Sequence, residues 1–179
     1  MRTRMLLWFL LLGGVLPPIA PAQNATSAAK PCSQAESKQF DFWLGEWTAS
    51  WPASGGQPAG TGHNSIKKTL DDCVVEESFS GLASSPLRGM SVSMFNPATN
   101  KWQQTWVDNQ GSYLDFVGEF DGKQMVLSRE ATDKQGQKVW QRMVWKNITP
   151  DAFDWSWESS KDGKEWQVNW PIRYQRVKR

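Results

Sequence analysis

The sequence predicts an all-β protein, an up-and-down antiparallel barrel of about ten strands that follows a short N-terminal helix. Apolar and polar residues alternate in Met90–Met94, Trp102–Trp106 and Phe153–Glu158, a pattern typical of strands with one buried face. Turn signals such as Asp121-Gly122 and Asp162-Gly163 separate these segments, and no long helical crossover lies between them. Consecutive strands are therefore expected to be antiparallel neighbours. Closure into a barrel removes the two exposed edges of such a sheet, and a two-sheet sandwich is the alternative.

The turn signals define the bounds of the predicted elements. The ten strands are expected near residues 46–52, 62–70, 73–80, 88–96, 101–108, 112–120, 123–131, 137–146, 151–159 and 164–175. Before them, Ser33-Gln34-Ala35-Glu36 fits a capping box, which predicts a short helix that runs to about Leu44 and ends at Gly45.

The N-terminus has the pattern of a secretory signal peptide. Arg2 and Arg4 precede the apolar run Met5–Leu16, and Ala20-Pro21-Ala22 places small residues at a cleavage site. The apolar run is too short to cross a hydrocarbon core of ~30 Å as a helix, so the mature protein is expected to have no membrane span. The sequence thus predicts a signal peptide at 1–22, a flexible leader at 23–31 and a single barrel domain at 32–179, exported to the periplasm or the extracellular space.

The charge of the predicted mature protein argues against a nucleic-acid partner. The formal net charge of the whole chain is +2, and cleavage would remove Arg2 and Arg4 without removing any acidic residue. The mature chain is then neutral, so it lacks the positive field that attracts nucleic acid.

The two cysteines of the chain, Cys32 and Cys73, are predicted to form a disulfide bond. Export places them in an oxidising compartment, and they lack the Cys-x-x-Cys spacing of a redox or metal pair. For a loop of this length the entropic stabilisation is about 4 kcal/mol at most.

Several segments resemble an exported bacterial family catalogued as domain of unknown function 1579. They are Phe40-Asp41-Phe42-Trp43-Leu44-Gly45-Glu46-Trp47, Asp72-Cys73 leading into Glu76-Glu77, Phe95-Asn96-Pro97-Ala98-Thr99-Asn100-Lys101-Trp102, and Gln104-Thr105-Trp106-Val107-Asp108. The resemblance extends from about Cys32 to Val144 and is looser beyond. It implies the fold, and it implies no activity, because the family has none assigned.

That family is in turn similar to the lipocalin-like, or calycin, barrels. In those barrels a Gly-x-Trp motif opens the first strand, and a basic residue of the last strand packs near the tryptophan. The resemblance implies these structural roles for Gly45, Trp47 and Arg173, with the guanidinium stacked on the indole to close one end of the barrel.

The chain contains 12 tryptophans, more than a single core of this size requires. The alternation predicts an inner face formed by Val75, Phe79, Met90, Val92, Met94, Trp102, Trp106, Leu114, Phe116, Leu127, Met143, Phe153, Trp155, Trp157, Trp166 and Trp170. It also turns inward the polar residues Asn64, Glu77, Gln104, Asp108, Arg129 and Gln141. An aromatic interior with a few polar groups is typical of a pocket for a flat or apolar ligand, and a solid aromatic core is the alternative.

The predicted ligand is a small hydrophobic or aromatic molecule. Its expected contacts are Glu77, Trp102, Gln104, Trp106, Arg129, Gln141, Trp155 and Trp157. Arg129 would receive a carboxylate of the ligand, and Glu77 would act as an acceptor or a proton carrier.

No cofactor or metal site is predicted. His63 is the single histidine, so the chain offers no imidazole cluster for zinc, and it has no glycine-rich phosphate loop. Nitrobindins, which are barrels of similar shape, hold haem through a histidine late in the chain. His63 lies early in this chain, so haem is not the predicted ligand.

Three function classes remain open: a binding module, a cofactor-free lipocalin-like isomerase or hydratase acting through Glu77 and Asp108, and a structural or interaction protein with a filled barrel. A deep cavity with polar groups would favour the first two classes, and a raised carboxyl pKa in that cavity would favour the enzyme over the binding module.

Overall fold

A computed structural model describes residues 30–54 and 58–178 of the chain as an all-β protein. Its strands are β1 (Gly45–Trp51), β2 (Gly60–Thr69), β3 (Val74–Ser80), β4 (Arg88–Asn96), β5 (Lys101–Asp108), β6 (Tyr113–Phe120), β7 (Met125–Thr132), β8 (Lys138–Lys146), β9 (Ala152–Ser160) and β10 (Gln167–Arg176). These bounds lie close to the predicted ones. The predicted signal peptide and nearly all of the predicted leader lie outside the described residues.

The ten strands form one closed antiparallel barrel in which every strand pairs with its neighbours in sequence. The last strand closes the sheet by pairing with the first, with Trp47 opposite Arg176 and Ser50 opposite Arg173. The predicted up-and-down barrel is therefore confirmed. Within the described residues, no helix has the length and apolarity required to cross a membrane.

The predicted N-terminal helix is present as two short 3-10 helices, Ala35–Lys38 and Asp41–Trp43. The predicted capping box does not form, because Gln34 is the residue that precedes the first helix and no side chain caps it. Leu82–Ser84 forms a further 3-10 helix between β3 and β4.

The segment before β1 fills one end of the barrel with aromatic side chains, and we call this cluster the aromatic plug. Its members, each no more than 1 % exposed, are Phe40, Trp43, Trp47, Trp102, Trp145 and Phe153. The Phe40 ring meets the edges of Trp102 and Trp145 at centroid distances of 4.7 and 5.3 Å. Two indole N–H groups hold the segment in place: Trp47 Nε1 donates to the Trp43 carbonyl and Trp102 Nε1 donates to Gln39 Oε1. This end of the barrel is therefore filled.

Arg176 closes the barrel beside the plug. Its guanidinium lies 4.1 Å from the centroid of the Trp47 ring. Nη1 and Nη2 donate to the carbonyls of Leu44 and Phe42, and Nε donates to the carbonyl of Pro150. Gly45 has φ +119°, and a Cβ there would lie 2.6 Å from Arg176 Nη1, so this position requires glycine.

The assignment of this role to Arg173 was wrong. Arg173 lies on the outer wall, where its Nη1 donates to Asp154 Oδ1 at 2.8 Å. Side chains alternate along β10, and Ile172 and Tyr174 face the core. Arg176 shares their face, whereas Arg173 lies on the opposite one.

Two other expectations about the interior were also wrong. Met90, Val92 and Met94 of β4 are each more than 40 % exposed, and the inner face of that strand carries Ser91, Ser93 and Phe95 instead. The inner hydroxyls are required there as hydrogen-bond partners: Ser91 donates to Glu77, and Ser93 accepts from Gln104.

Trp166, predicted to face inward, lies against the guanidinium of Arg142 at 3.9 Å from its ring centroid. The register of β10 shifts between Val168 and Trp170. Because this bulge adds a residue, positions before it face the opposite way from those expected by simple alternation.

The predicted disulfide is confirmed between Cys32 and Cys73, whose Cα atoms are 5.2 Å apart. It joins the segment before the plug to the turn between β2 and β3.

We expect the double variant Cys32→Ser/Cys73→Ser to lose up to about 4 kcal/mol of unfolding free energy, because the unfolded chain gains freedom without the crosslink. Denaturant titration measures the loss. Two reactive thiols in unfolded, unreduced protein would contradict the bond.

Arg176→Lys should lower the unfolding free energy by about 1.5–3 kcal/mol, since an ammonium group cannot stack flat on Trp47 while serving three carbonyls. The matched control is Arg173→Lys, which alters an exposed ion pair and should change stability by less than about 1 kcal/mol. Equal losses for the two arginine variants would show that Arg176 does not close the barrel.

Trp47→Ala should lower the unfolding free energy by about 3–5 kcal/mol, because it opens a void in the plug. Denaturant titration measures this loss as well.

Candidate functional site

The end of the barrel away from the plug contains a cavity of about 270 Å³. Its walls are formed mainly by aromatic and aliphatic side chains, and five of them are tryptophans. The lining residues are Glu77, Phe79, Leu87, Trp106, Asp108, Leu114, Phe116, Met143, Trp145, Trp155, Trp157, Trp170, Ile172 and Tyr174. Trp145 is fully buried and belongs also to the plug, so the plug forms part of the cavity wall.

Four of the lining indoles are partly exposed, and we call this group the mouth of the cavity: Trp106, Trp155, Trp157 and Trp170 are all intermediate in burial. Trp155 and Trp170 meet edge to face at 6.0 Å, and Trp157 meets Phe116 in the same way at 5.8 Å. Such contacts fix the orientation of each ring.

Gly89 of β4 makes room for the indole of Trp106. A Cβ at this position would lie 2.2 Å from the Trp106 ring, a distance that no side chain can adopt. The absence of a side chain at Gly89 therefore sets the position of one cavity wall, by allowing an indole to lie directly on the backbone.

Glu77 is a buried carboxyl group at the inner side of the cavity. Its Oε1 accepts from Asn64 Nδ2 at 2.7 Å, and its Oε2 accepts from the Ser91 hydroxyl at 2.6 Å. Burial raises the pKa of Glu77, and the hydrogen bonds from Ser91 and Asn64 oppose that rise without cancelling it. Both partners are neutral, so no cation compensates the carboxylate.

Tyr174 lies beside this group. Asn64 Nδ2 approaches the Tyr174 hydroxyl at 3.4 Å as well as Glu77. Burial raises the pKa of Tyr174 well above its ordinary value, and the negative charge of Glu77 raises it further. The phenol is therefore a neutral hydroxyl at neutral pH.

Asp108 contributes a second carboxyl group to the cavity. Partial burial opposes its ionisation, but bonds from Trp106 Nε1 and from the backbone N–H groups of Ser112 and Gln110 lower the pKa of Asp108. Asp108 is thus an anion at neutral pH, in contrast to the desolvated Glu77.

Some buried polar atoms of the described residues lack a hydrogen-bond partner. Two of them bear on the cavity: the indole N–H of Trp145, which lines the wall, and Asn64 Oδ1, whose amide nitrogen is bound to Glu77. A buried polar atom without a partner costs free energy, and both of these atoms are inaccessible to solvent in this structure.

The structure brings some of the predicted ligand contacts together and separates others. Glu77, Trp106, Trp155 and Trp157 all line the cavity, together with Asp108. Trp102 belongs to the plug.

The predicted polar contacts Gln104, Arg129 and Gln141 do not line the cavity. Gln104 donates to Ser93. Arg129 donates to Gln141 at 3.0 Å, and its guanidinium lies 5.8 Å from the centroid of the Phe116 ring. Arg129 is thus outside the cavity wall, although Phe116 forms part of that wall.

Four residues that shape the cavity were not predicted from the sequence: Leu87, Gly89, Trp145 and Tyr174. Trp145 and Tyr174 could have been found, because they share a face with Met143 and Trp170, which were predicted to face inward. Leu87 lies in a connection without alternation, and the role of Gly89 depends on contact with a different strand.

His63 lies outside the cavity. Its Nε2 is 3.0 Å from a carboxylate oxygen of Glu46 on the outer wall. Across residues 30–54 and 58–178, no group of three or more His, Cys, Asp or Glu side chains is arranged to hold a metal ion.

A closed antiparallel barrel with one end plugged by aromatic residues and a cavity at the other end is consistent with the lipocalin-like class of proteins. A family model described as "Protein of unknown function (DUF1579)" matches residues 33–176, and the chain belongs to that family. The match includes β9 and β10, which lie beyond Val144, where the closer sequence resemblance ends. A search of curated proteins found no match.

The raised pKa of Glu77 predicts a pH-dependent difference between the native protein and Glu77→Gln. In the native protein the stability due to neutral Glu77 is fully present below the ordinary carboxyl pKa of 4.5 and is lost as pH rises through the raised folded value. The glutamine variant stays neutral, so its stability should rise relative to the native protein across that window. Denaturant unfolding at several pH values measures the difference.

Glu76→Gln is the control for this comparison. Glu76 is on the same strand but faces outward, 3.0 Å from Lys67 Nζ. Stability curves of Glu77→Gln and the native protein that stay parallel over the whole pH range would contradict the assigned environment of Glu77.

Proposed function

We propose that this protein binds a small hydrophobic or aromatic molecule in the barrel cavity. The observation that carries the proposal is the lining itself, in which five indoles surround a space that only a few polar groups reach. Apolar walls with a small number of oriented polar groups are typical of ligand pockets. The volume of about 270 Å³ lies slightly below the usual range of ~300–1,000 Å³, which favours a ligand with few heavy atoms.

Partial filling of the barrel supports binding over a purely structural role. The plug packs one end to full burial, whereas four tryptophans around the mouth stay partly exposed. Exposed aromatic surface has a free-energy cost in water that a ligand would remove. A core that served stability alone would bury these rings against one another.

We also propose that the protein acts after export, with residues 1–22 as a signal peptide, 23–31 as a leader and 32–179 as the barrel domain. The basic and apolar pattern of the N-terminus supports this assignment. The disulfide between Cys32 and Cys73 supports it independently, because such bonds persist in oxidising compartments.

A cofactor-free enzyme, an isomerase or hydratase, is the second candidate. It is favoured by one observation, the raised pKa of Glu77 within a cavity that a substrate could enter. In this candidate Glu77 would carry a proton, and Asp108 would stay ionised. Turnover of a bound compound that is lost in Glu77→Gln but retained in Glu76→Gln would promote the enzyme over the binding module.

Binding can be tested by filling the cavity from one strand. Leu114 of β6 lines the cavity, whereas Val117 of the same strand is 46 % exposed on the outer wall. With the neutral aromatic probe 2-naphthalenemethanol, native protein should show quenched or shifted tryptophan emission and a measurable dissociation constant by calorimetry. Leu114→Trp should weaken that binding by about tenfold or more, since the new indole occupies ligand space.

Val117→Trp is the matched control and should leave the affinity unchanged. Unfolding curves of both variants verify that the barrel is intact. The absence of binding for a broad panel of neutral aromatic compounds, or equal binding by the two tryptophan variants, would refute a cavity ligand. Native mass spectrometry of protein purified from its own host would then identify what, if anything, co-purifies.

A further inference from the structure

The charged groups that line the cavity all have the same sign. Its wall includes the carboxyl groups of Glu77 and Asp108, and none of the described residues that line it is a lysine, arginine or histidine. The remaining wall is aromatic or aliphatic except for the hydroxyl of Tyr174. The cavity therefore offers acceptors and aromatic faces to its ligand, and no cationic side chain.

We propose that the ligand is a small organic cation, an amine or quaternary ammonium group carried on a flat apolar body. This inference rests on the proposed binding function and specifies the chemistry of the same cavity. It reverses the polarity expected from the sequence, in which Arg129 would have received an acid.

The indoles that line the cavity favour a cationic ligand. The face of an indole is the strongest aromatic partner for a cation, and desolvation in a cavity strengthens the attraction. Trp106, Trp155, Trp157 and Trp170 surround the mouth, and edge-to-face contacts hold Trp155 and Trp170 in place. A ligand that brings a positive charge into this ring of indoles is attracted by several quadrupoles at once.

The buried carboxyl group of Glu77 also favours a cationic ligand. A buried carboxylate is costly unless a positive charge or several donors compensate it. Its partners Asn64 and Ser91 each give one neutral hydrogen bond, and a carboxylate accepts about four. An ammonium ion in the cavity would provide the missing positive charge and a charge-assisted hydrogen bond.

The negative charge of Asp108 favours a cationic ligand as well. It is more exposed than Glu77 and is held as an anion by its bonds to Trp106 and to the backbone of the turn after β5. An anion at the edge of a low-dielectric cavity attracts cations and repels carboxylates as they approach. An acidic ligand would meet this repulsion and would find no cationic side chain in the cavity wall, because Arg129 does not line the cavity.

The groups that face Glu77 allow a clear pH dependence. Tyr174 on β10 is the titratable neighbour, Asn64 on β2 and Ser91 on β4 are neutral, and Asp108 is the other carboxyl group of the cavity. Binding of a cation favours ionised Glu77, so affinity should rise with pH as this group loses its proton. A neutral ligand that accepts a hydrogen bond from protonated Glu77 would show the opposite trend.

The experiment compares three ligands with the same ring. They are 2-naphthylmethylamine, 2-naphthalenemethanol and 2-naphthoic acid, which carry a cation, a neutral group and an anion, and calorimetry with the full-length mature protein gives each dissociation constant. The amine should bind about tenfold or more tightly than the alcohol, and the acid should bind most weakly. The corresponding trimethylammonium compound, whose charge is permanent, should show the same rise of affinity with pH as the amine.

Two glutamate variants separate a local effect from a change in net charge. Glu77→Gln should weaken binding of the amine about tenfold and change binding of the alcohol less than about threefold. Glu76→Gln removes the same charge from the outer face of the same strand and should have no effect on either ligand.

The outcomes distinguish the inference from the function on which it depends. If the alcohol binds as tightly as the amine, or if both glutamate variants weaken the amine equally, the cavity binds ligands but the cation inference is wrong. Tighter binding of the acid than of the alcohol would restore the original expectation for Arg129 and overturn the inference. If none of the three compounds binds, the proposed function fails together with it.

Discussion

The stacked contact between Arg176 and Trp47 joins the three parts of the chain that must meet for the barrel to close. Trp47 belongs to the first strand and Arg176 to the last, and the guanidinium also donates to Phe42 and Leu44 in the segment that forms the plug. A planar group with five donors can stack on a ring and bond several carbonyls at the same time, which no other side chain does. This contact holds the N-terminal segment in the barrel end, and the filled end in turn decides where the cavity lies.

The plug and the cavity use the same residue type for opposite purposes. Trp43, Trp47, Trp102 and Trp145 are packed to full burial, where each ring adds apolar contact area and fixes its neighbours. The tryptophans of the mouth have the same chemistry, but the plug does not cover them and they stay partly exposed. Beyond Trp145 the interior is lined by side chains of the strands and is not filled by the segment before β1. The partners of the buried Glu77 there are neutral, so they supply no counter-charge.

Hydrogen bonding explains which residues of β4 face the interior of the barrel. Ser91 and Ser93 face inward because Glu77 and Gln104 require hydrogen-bond partners, and the methionines of β4 are left on the outside. Burying a polar group without a partner costs more than exposing an apolar one, so hydrogen bonding decided the orientation of this strand. Glu158 on the outer wall of β9 follows the same rule, because its buried carboxylate accepts hydrogen bonds from Ser156 and from Arg142.

The sequence by itself determined the strand pattern, the closed barrel and the disulfide, because alternation and turn residues are local properties and two cysteines allow one pairing. It also placed Glu77, Trp106, Trp155 and Trp157 on the inner face. Only the tertiary structure decided which inner residues fill the plug and which line a cavity, since that depends on how far the segment before β1 reaches into the barrel. The same applies to Trp166: the bulge in β10 reverses the alternation before Trp170, and its position depends on pairing with β9 rather than on the residues of β10 alone. Arg173 differs, because alternation with Trp170 already places it on the outer face, and only the tertiary structure shows that Arg176 takes the closing role.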